Sequence, residues 1–230
     1  MFELNFFLWP MLLPLIIPLV YCIKNKMTSC FEILLIAVIM IFIVIFYWPL
    51  TLNIQSPANI ITKSILFVIV PLLILALHLK DKKDISKEFE LIGISKKNIK
   101  KSIVLGIIFL PIMLFITFLV QYYIGFPTSD SDVFIGIMSF IESFTEEFFF
   151  RGILFLFLMS KTNFKIAYIT SLACFILAHP QNLTSFFIIG TIVQGILTLE
   201  ICRRTRNLIG PWIVHGTNRF FSIAVLPFIF

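Results

Sequence analysis

Long apolar runs separated by short polar breaks dominate this chain and fix what it can become. They extend over about residues 2–23, 31–50, 64–79, 103–124, 133–159, 166–179, 184–201 and 208–230. Runs of this kind are what the ~30 Å hydrocarbon core of a bilayer demands, and a spanning helix satisfies its own backbone hydrogen bonds there. The expected fold is all-α: a polytopic membrane helical bundle of about eight transmembrane helices. Only 13% of the residues are charged and the mean hydropathy is +1.05. A soluble domain carries about 25% charge, so a soluble globular fold, a disordered chain and a secreted disulfide scaffold are all excluded. The four cysteines, Cys22, Cys30, Cys174 and Cys202, show no ligand spacing and read as isolated thiols.

The net charge of +6 is a topology signal. Lys24 and Lys26, the eight lysines between Lys80 and Lys101, Lys161 with Lys165, and Arg203, Arg204 and Arg206 make up 15 of the 18 basic residues. They occupy every second loop, as cytoplasmic loops do. The intervening loops hold Lys63, Asp130 and Asp132. This pattern predicts a multi-pass protein of the cell membrane with both termini outside the cytoplasm, and it makes a nucleic-acid partner unnecessary. The first run has lysines after it and none before, the reverse of a secretory signal, so a retained first helix is expected. Its prolines, Pro10, Pro14 and Pro18, share one face and should bend it. The loop 80–101 carries Ile85, Phe89 and Ile92 at helical spacing among lysines, which fits either a short interfacial helix on anionic headgroups or a solvated basic loop.

Chemistry must come from ionisable groups inside the apolar runs. Besides the loop residues, the last four runs contain Glu142, Glu146, Glu147, Arg151, His179, His215 and Arg219. Each unpaired charge at mid-membrane costs roughly 2.5–3.5 kcal/mol on insertion scales. These groups must therefore pair, protonate or line a wet cavity. Glu147 stands four residues before Arg151, the favourable order for a helical ion pair. Glu146, about 100° around the helix, has no such partner and must look to other helices. Glu142 lies on nearly the same face as Glu146, so the two carboxylates repel, and general acid–base work is one use of such a pair.

Phe175 and His179 are four apart, and His215 and Asn218 three apart, each pair on one helical face. Counted from the nearest basic collar, Glu146, His179 and Asn218 lie at a common depth of roughly 18–23 Å at 1.5 Å per residue. His215 lies about one turn shallower. A carboxylate and a histidine sharing a water can activate it for attack on a carbonyl, while a second histidine and an amide stabilise the oxyanion. No serine or cysteine has an evident base beside it, and a water nucleophile is favoured.

At these residues the chain resembles the CAAX prenyl protease and bacteriocin-processing (CPBP, or Abi) intramembrane proteases, the family of the Ras-converting CAAX endopeptidase. The resemblance rests on Glu146-Glu147-x-x-x-Arg151 followed by Gly152, on Phe175-x-x-x-His179, and on His215 with Asn218. The stretch ELIGISKKNIKK is similar to the family's basic leucine–glycine segment. It covers about residues 88–225, dividing the chain into N-terminal helices with the start of the basic loop (1–87) and a catalytic core (88–230). In the third motif the family places Asn or Asp four residues after His, where this chain has Arg219, so either Asn218 or Arg219 is the oxyanion donor.

The resemblance implies an intramembrane endopeptidase in which Glu146 and His179 activate water and His215 with Asn218 stabilises the oxyanion. Glu147 and Arg151 would be structural or substrate-orienting, with Phe175 walling His179, Glu142 lining the cavity and Arg219 beside it. The partners expected are the lipid bilayer and a membrane-associated peptide or protein substrate, and no sequence feature specifies an oligomeric state. No cofactor is required, although Glu146, His179 and His215 also form a ligand set of the kind that holds catalytic zinc. Two other readings stand. One is a non-catalytic membrane immunity or regulatory protein that keeps the protease fold. The other is a proton-coupled transporter, which the lack of similarity between the two halves of the chain disfavours.

Overall fold

The computed structural model describes residues 8–52, 59–78, 85–126 and 131–230, and every regular element among them is helical. Helix α1 (Trp9–Lys24) opens as a 3₁₀ segment, Trp9–Leu15, and continues as α-helix from Ile16. The change falls among Pro10, Pro14 and Pro18, where missing amide protons weaken the helical ladder. There follow α2 (Cys30–Leu52), α3 (59–78), α4 (Ile85–Leu91), α5 (Ile99–Ile124) and α6 (133–161). The chain ends with α7 (Phe164–Leu177), α8 (Phe187–Thr205) and α9 (209–229). Three helices contain wide π turns: Ser64–Ile69 in α3, Phe148–Phe157 in α6 and Phe221–Val225 in α9.

The expectation of about eight spans is corrected. Among the described residues, three helices are long and apolar enough to cross a membrane: Cys30–Tyr47, Asn59–Ala76 and Ile99–Ile124. The remaining helices fall short for two physical reasons. α1 and α7 are apolar but shorter. α6, α8 and α9 are long but carry Glu142, Glu146, Glu147 and Arg151, then Glu200, Arg203 and Arg204, then His215, Asn218 and Arg219. Many of these polar groups are buried against one another inside the bundle. An apolar run read along the sequence passes over them without registering the cost.

The core is built around α6. All ten residues of its π segment are buried, and one hydrophobic cluster joins the apolar side chains among them to Ile36, Ile39 and Met40 of α2, Phe67 of α3 and Phe175 of α7. The core therefore draws on both sides of residue 87. Asp132 accepts from the amide of Ile135 at 2.8 Å and starts α6, and Asn163 does the same for α7 through Ile166. Such caps satisfy amides that the first helical turn leaves free. Asp130 and residues 79–84 lie outside the described residues.

The basic segments gather at one end of the bundle. Ser29 donates to the carbonyl of Lys161 at 2.9 Å, and the Lys161 ammonium pairs with Glu32 at 3.2 Å, joining the α1–α2 turn to the α6–α7 turn. The Arg203 guanidinium lies 5.7 Å from the Phe164 ring centroid. Asn98 donates to the Thr205 carbonyl at 3.1 Å and Asn207 to the Ser95 carbonyl at 2.7 Å, tying the α4–α5 loop to the α8–α9 turn. Within that loop α4 is a short helix, as one of the two sequence readings had it. It leaves Phe89 and Leu91 exposed, while Ile92 is buried.

Helix α9 approaches its neighbours closely through glycine. A Cβ on Gly210 would stand 2.2 Å from the Ser102 carbonyl oxygen of α5, and one on Gly216 would stand 2.9 Å from the Phe140 carbonyl oxygen of α6. Small residues at such crossings let membrane helices pack backbone to backbone, and here they bring His215 and Asn218 against α5 and α6. Gly210→Ala should cost about 1–3 kcal/mol through overpacking and lower the melting temperature in detergent. Gly190→Ala, where nothing lies within 4 Å, should leave it unchanged or slightly raised. Equal melting of the two variants would contradict the close crossing.

Candidate active site

Glu146 stands at the centre of a buried cluster. It leaves α6 just before the π segment and is only 4% exposed. Its two oxygens have different company. Oε1 faces the Lys63 ammonium at 2.7 Å and the Arg219 guanidinium at 3.3 Å. Oε2 faces Nε2 of His179 at 3.7 Å and Nε2 of His215 at 3.8 Å, and among the described residues it accepts no hydrogen bond from a protein donor. Distances of this size are too long for direct hydrogen bonds.

Partners on the far side of each ring define the imidazole tautomers. His179 Nδ1 lies 2.8 Å from the Phe175 carbonyl, which can only accept, so Nδ1 carries the proton. That leaves the Nε2 lone pair facing Glu146. His215 Nδ1 lies 2.7 Å from Glu147 Oε1 and donates to it in the same way. Both Nε2 atoms and Oε2 of Glu146 thus converge on one point from α6, the end of α7 and α9.

Glu147 has a double task. Besides His215 it meets Arg151 Nε at 3.2 Å, the ion pair expected from the sequence. Arg151 is wholly buried, donates through Nε to Thr198 at 2.9 Å, and lies 4.2 Å over the Phe175 ring centroid. Phe175 in turn packs 4.8 Å from the His179 ring. Arg151 therefore supports both histidines, one through Glu147 and the other through Phe175.

Asn218 donates to Gln194 Oε1 at 3.0 Å and accepts from Thr117 at 2.6 Å. One of its two amide protons is engaged by Gln194, and the residue also borders a cavity. Arg219 lies on the carboxylates, at 3.4 Å from Glu142 and 3.3 Å from Glu146. Glu142 also contacts Lys63. The structure thus brings together every candidate the sequence singled out.

It adds Lys63, which the sequence placed in an outside loop. That placement is corrected: α3 begins at Asn59, so Lys63 is one turn inside the helix and only 5% exposed. A signal was present in the charge balance. Glu142, Glu146 and Glu147 faced only Arg151 and Arg219 within the apolar runs, leaving one carboxylate in need of a third cation.

Lys63, Glu146, His179, His215, Asn218 and Arg219 border a cavity of about 380 Å³. One wall is apolar, with Met11, Ile43, Phe67 and Phe150. Thr117, Gln121, Thr191 and Gln194 add an uncharged polar part to the lining. Among the described residues, no group of three His, Cys, Asp or Glu side chains is arranged to hold a metal ion.

The fold and this cluster define a helical membrane bundle with a buried glutamate–histidine site. Residues 128–221 match the family model for Rce1-like, type II CAAX prenyl endopeptidase. That match supports the assignment to the CPBP/CAAX family. It contains all the sequence-derived site residues and is shorter than the stretch 88–225 over which the resemblance was drawn. No curated protein and no solved structure matches the chain.

Removing one partner of a buried ion pair typically costs about 3–5 kcal/mol, because the other charge is left uncompensated. Glu147→Ala should therefore lower the detergent melting temperature sharply, and the double variant Glu147→Ala/Arg151→Met should recover much of the loss. If the second change deepens the loss instead, the pair is not what holds Glu147 and Arg151 in place.

Proposed function

We propose that the chain is an intramembrane endopeptidase of the CAAX/CPBP type. It hydrolyses a peptide bond of a membrane-associated protein or peptide with a water activated by Glu146 and His179. The observation that carries this reading is the convergence of Glu146 Oε2 with Nε2 of His179 and of His215. Separations of 3.7 and 3.8 Å suit a single bridging water. The water gives its proton to this pair as its oxygen attacks the scissile carbonyl carbon. The oxyanion that forms then accepts from an amide proton of Asn218, beside His215, which the Glu147 carboxylate holds in place through Nδ1. Collapse expels the amine, which takes the proton back.

The reaction so drawn needs no metal. Lys63 and Arg219 already lie on Glu146, and their charge opposes a dication on the same carboxylate. Purified protein should accordingly keep its activity in a chelator. Stoichiometric zinc whose removal abolishes cleavage would assign Glu146, His179 and His215 to a metal instead.

The remaining helices lie in the same membrane-embedded bundle, with the basic end cytoplasmic and both termini outside. The gathering of the basic segments at one end supports this orientation. In the same reading, residues 88–230 form the catalytic core and residues 1–87 contribute helices α1 to α3.

Comparative peptidomics of membranes carrying wild type or Glu146→Ala tests the reading. Peptides that appear only with wild type, and are also lost with His179→Ala, are the expected outcome. Identical peptide profiles for all three proteins would remove the protease reading in favour of a non-catalytic membrane partner.

A further inference from the structure

We propose that Lys63 is a positioning residue of the reaction centre, fixing Oε1 of Glu146 so that Oε2 is the oxygen presented to the two imidazoles. The inference rests on the protease reading above and extends it to a residue of α3, outside the stretch that matches the family.

The geometry supports this role in three ways. The Lys63 ammonium, 6% exposed as a side chain, contacts Glu142 and meets Glu146 at 2.7 Å. The hydrogen bond from Lys63 goes to Oε1, whereas Oε2 accepts none among the described residues and lies 3.7 and 3.8 Å from the two imidazoles. A pair that merely held α3 to α6 would not need to distinguish the two oxygens. Arg219, the second cation on Oε1, is a weaker anchor. Its side chain is 30% exposed, and it divides itself between Glu142 and Glu146 at 3.4 and 3.3 Å.

Lys63 is also held from behind. Its ammonium lies 6.0 Å from the ring centroid of Tyr47 on α2, and its neighbour Thr62 is buried. Removing the ammonium leaves Arg219 to serve two carboxylates at once, and Glu146 loses the anchor that sets its rotation. A displacement of about 1 Å at a reacting group can cost on the order of 100-fold in rate. The division of labour also explains the presence of Glu142, which takes the share of the cations that Glu146 does not use.

The test uses the full chain in lipid nanodiscs and a synthetic peptide spanning a cleavage that membrane peptidomics shows to depend on Glu146. Lys63→Met keeps the apolar stem and should lower kcat by about 100-fold with KM changed little, as expected when a transition-state geometry is lost. Lys63→Arg should stay within about tenfold of wild type, because it keeps the charge. Lys63→Met/Glu142→Gln should regain at least about tenfold over Lys63→Met, because Arg219 then serves Glu146 alone.

A wild-type kcat in Lys63→Met, with Glu146→Gln inactive, overturns the proposal and leaves the protease reading intact. So does a loss of cooperative melting in Lys63→Met that the Glu142→Gln change fails to reverse, since Lys63 would then be structural only. If no cleavage depends on Glu146 at all, the protease reading itself falls, and this proposal with it.

Discussion

Burying three carboxylates in one stretch of helix is the constraint on which the rest of the structure depends. Glu142, Glu146 and Glu147 are all buried in α6, and each such charge is expensive within a bilayer unless it is paired. Three cations answer them: Arg151 from α6 itself, Lys63 from α3 and Arg219 from α9. Because two of these come from other helices, neutralising α6 also dictates which helices flank it. The glycine crossings of α9 and the N-terminal position of Lys63 in α3 serve that requirement. Two histidines complete the ring, each with Nδ1 tied outward and Nε2 turned in.

Helical irregularity accompanies the charges. The π segment of α3 begins immediately after Lys63, that of α6 immediately after Glu147, and that of α9 two residues after Arg219. Wide turns of this kind are uncommon, and they recur at functional sites. Each extra residue wound into a turn rotates everything beyond it. Regular α-helices of the same sequence would therefore set the charged groups and the residues that follow them at different angles. In α6 the irregular stretch contains Arg151 and is buried along its whole length in the core, so one segment serves both the site and the packing of the bundle.

Much of this was legible in the sequence, and the exceptions have physical causes. The all-helical class followed from apolar run length alone. The site followed from the rule that charge inside a membrane needs a reason, and the expected Glu147–Arg151 pair stands at helical spacing. Span number was overestimated because residues such as Glu146 and Asn218 sit inside runs whose average remains apolar. Lys63 was misplaced because its helix begins at Asn59 rather than at the first unbroken apolar residue. The bond from His215 to Glu147 joins residues 68 apart in sequence, and no local spacing encodes it. The exchange of oxygens on Glu146 between cations and imidazoles is likewise a property of four helices together.

The central claim is that Glu146 activates water and does not itself attack the substrate. Single-turnover cleavage in H₂¹⁸O, followed by mass spectrometry of both product and enzyme, measures this directly. The expected result is one heavy oxygen in the new C-terminal carboxylate of the product and none in the enzyme peptide that contains Glu146. Heavy oxygen in the Glu146 carboxylate after one turnover would reveal a covalent acyl intermediate and contradict direct attack by water.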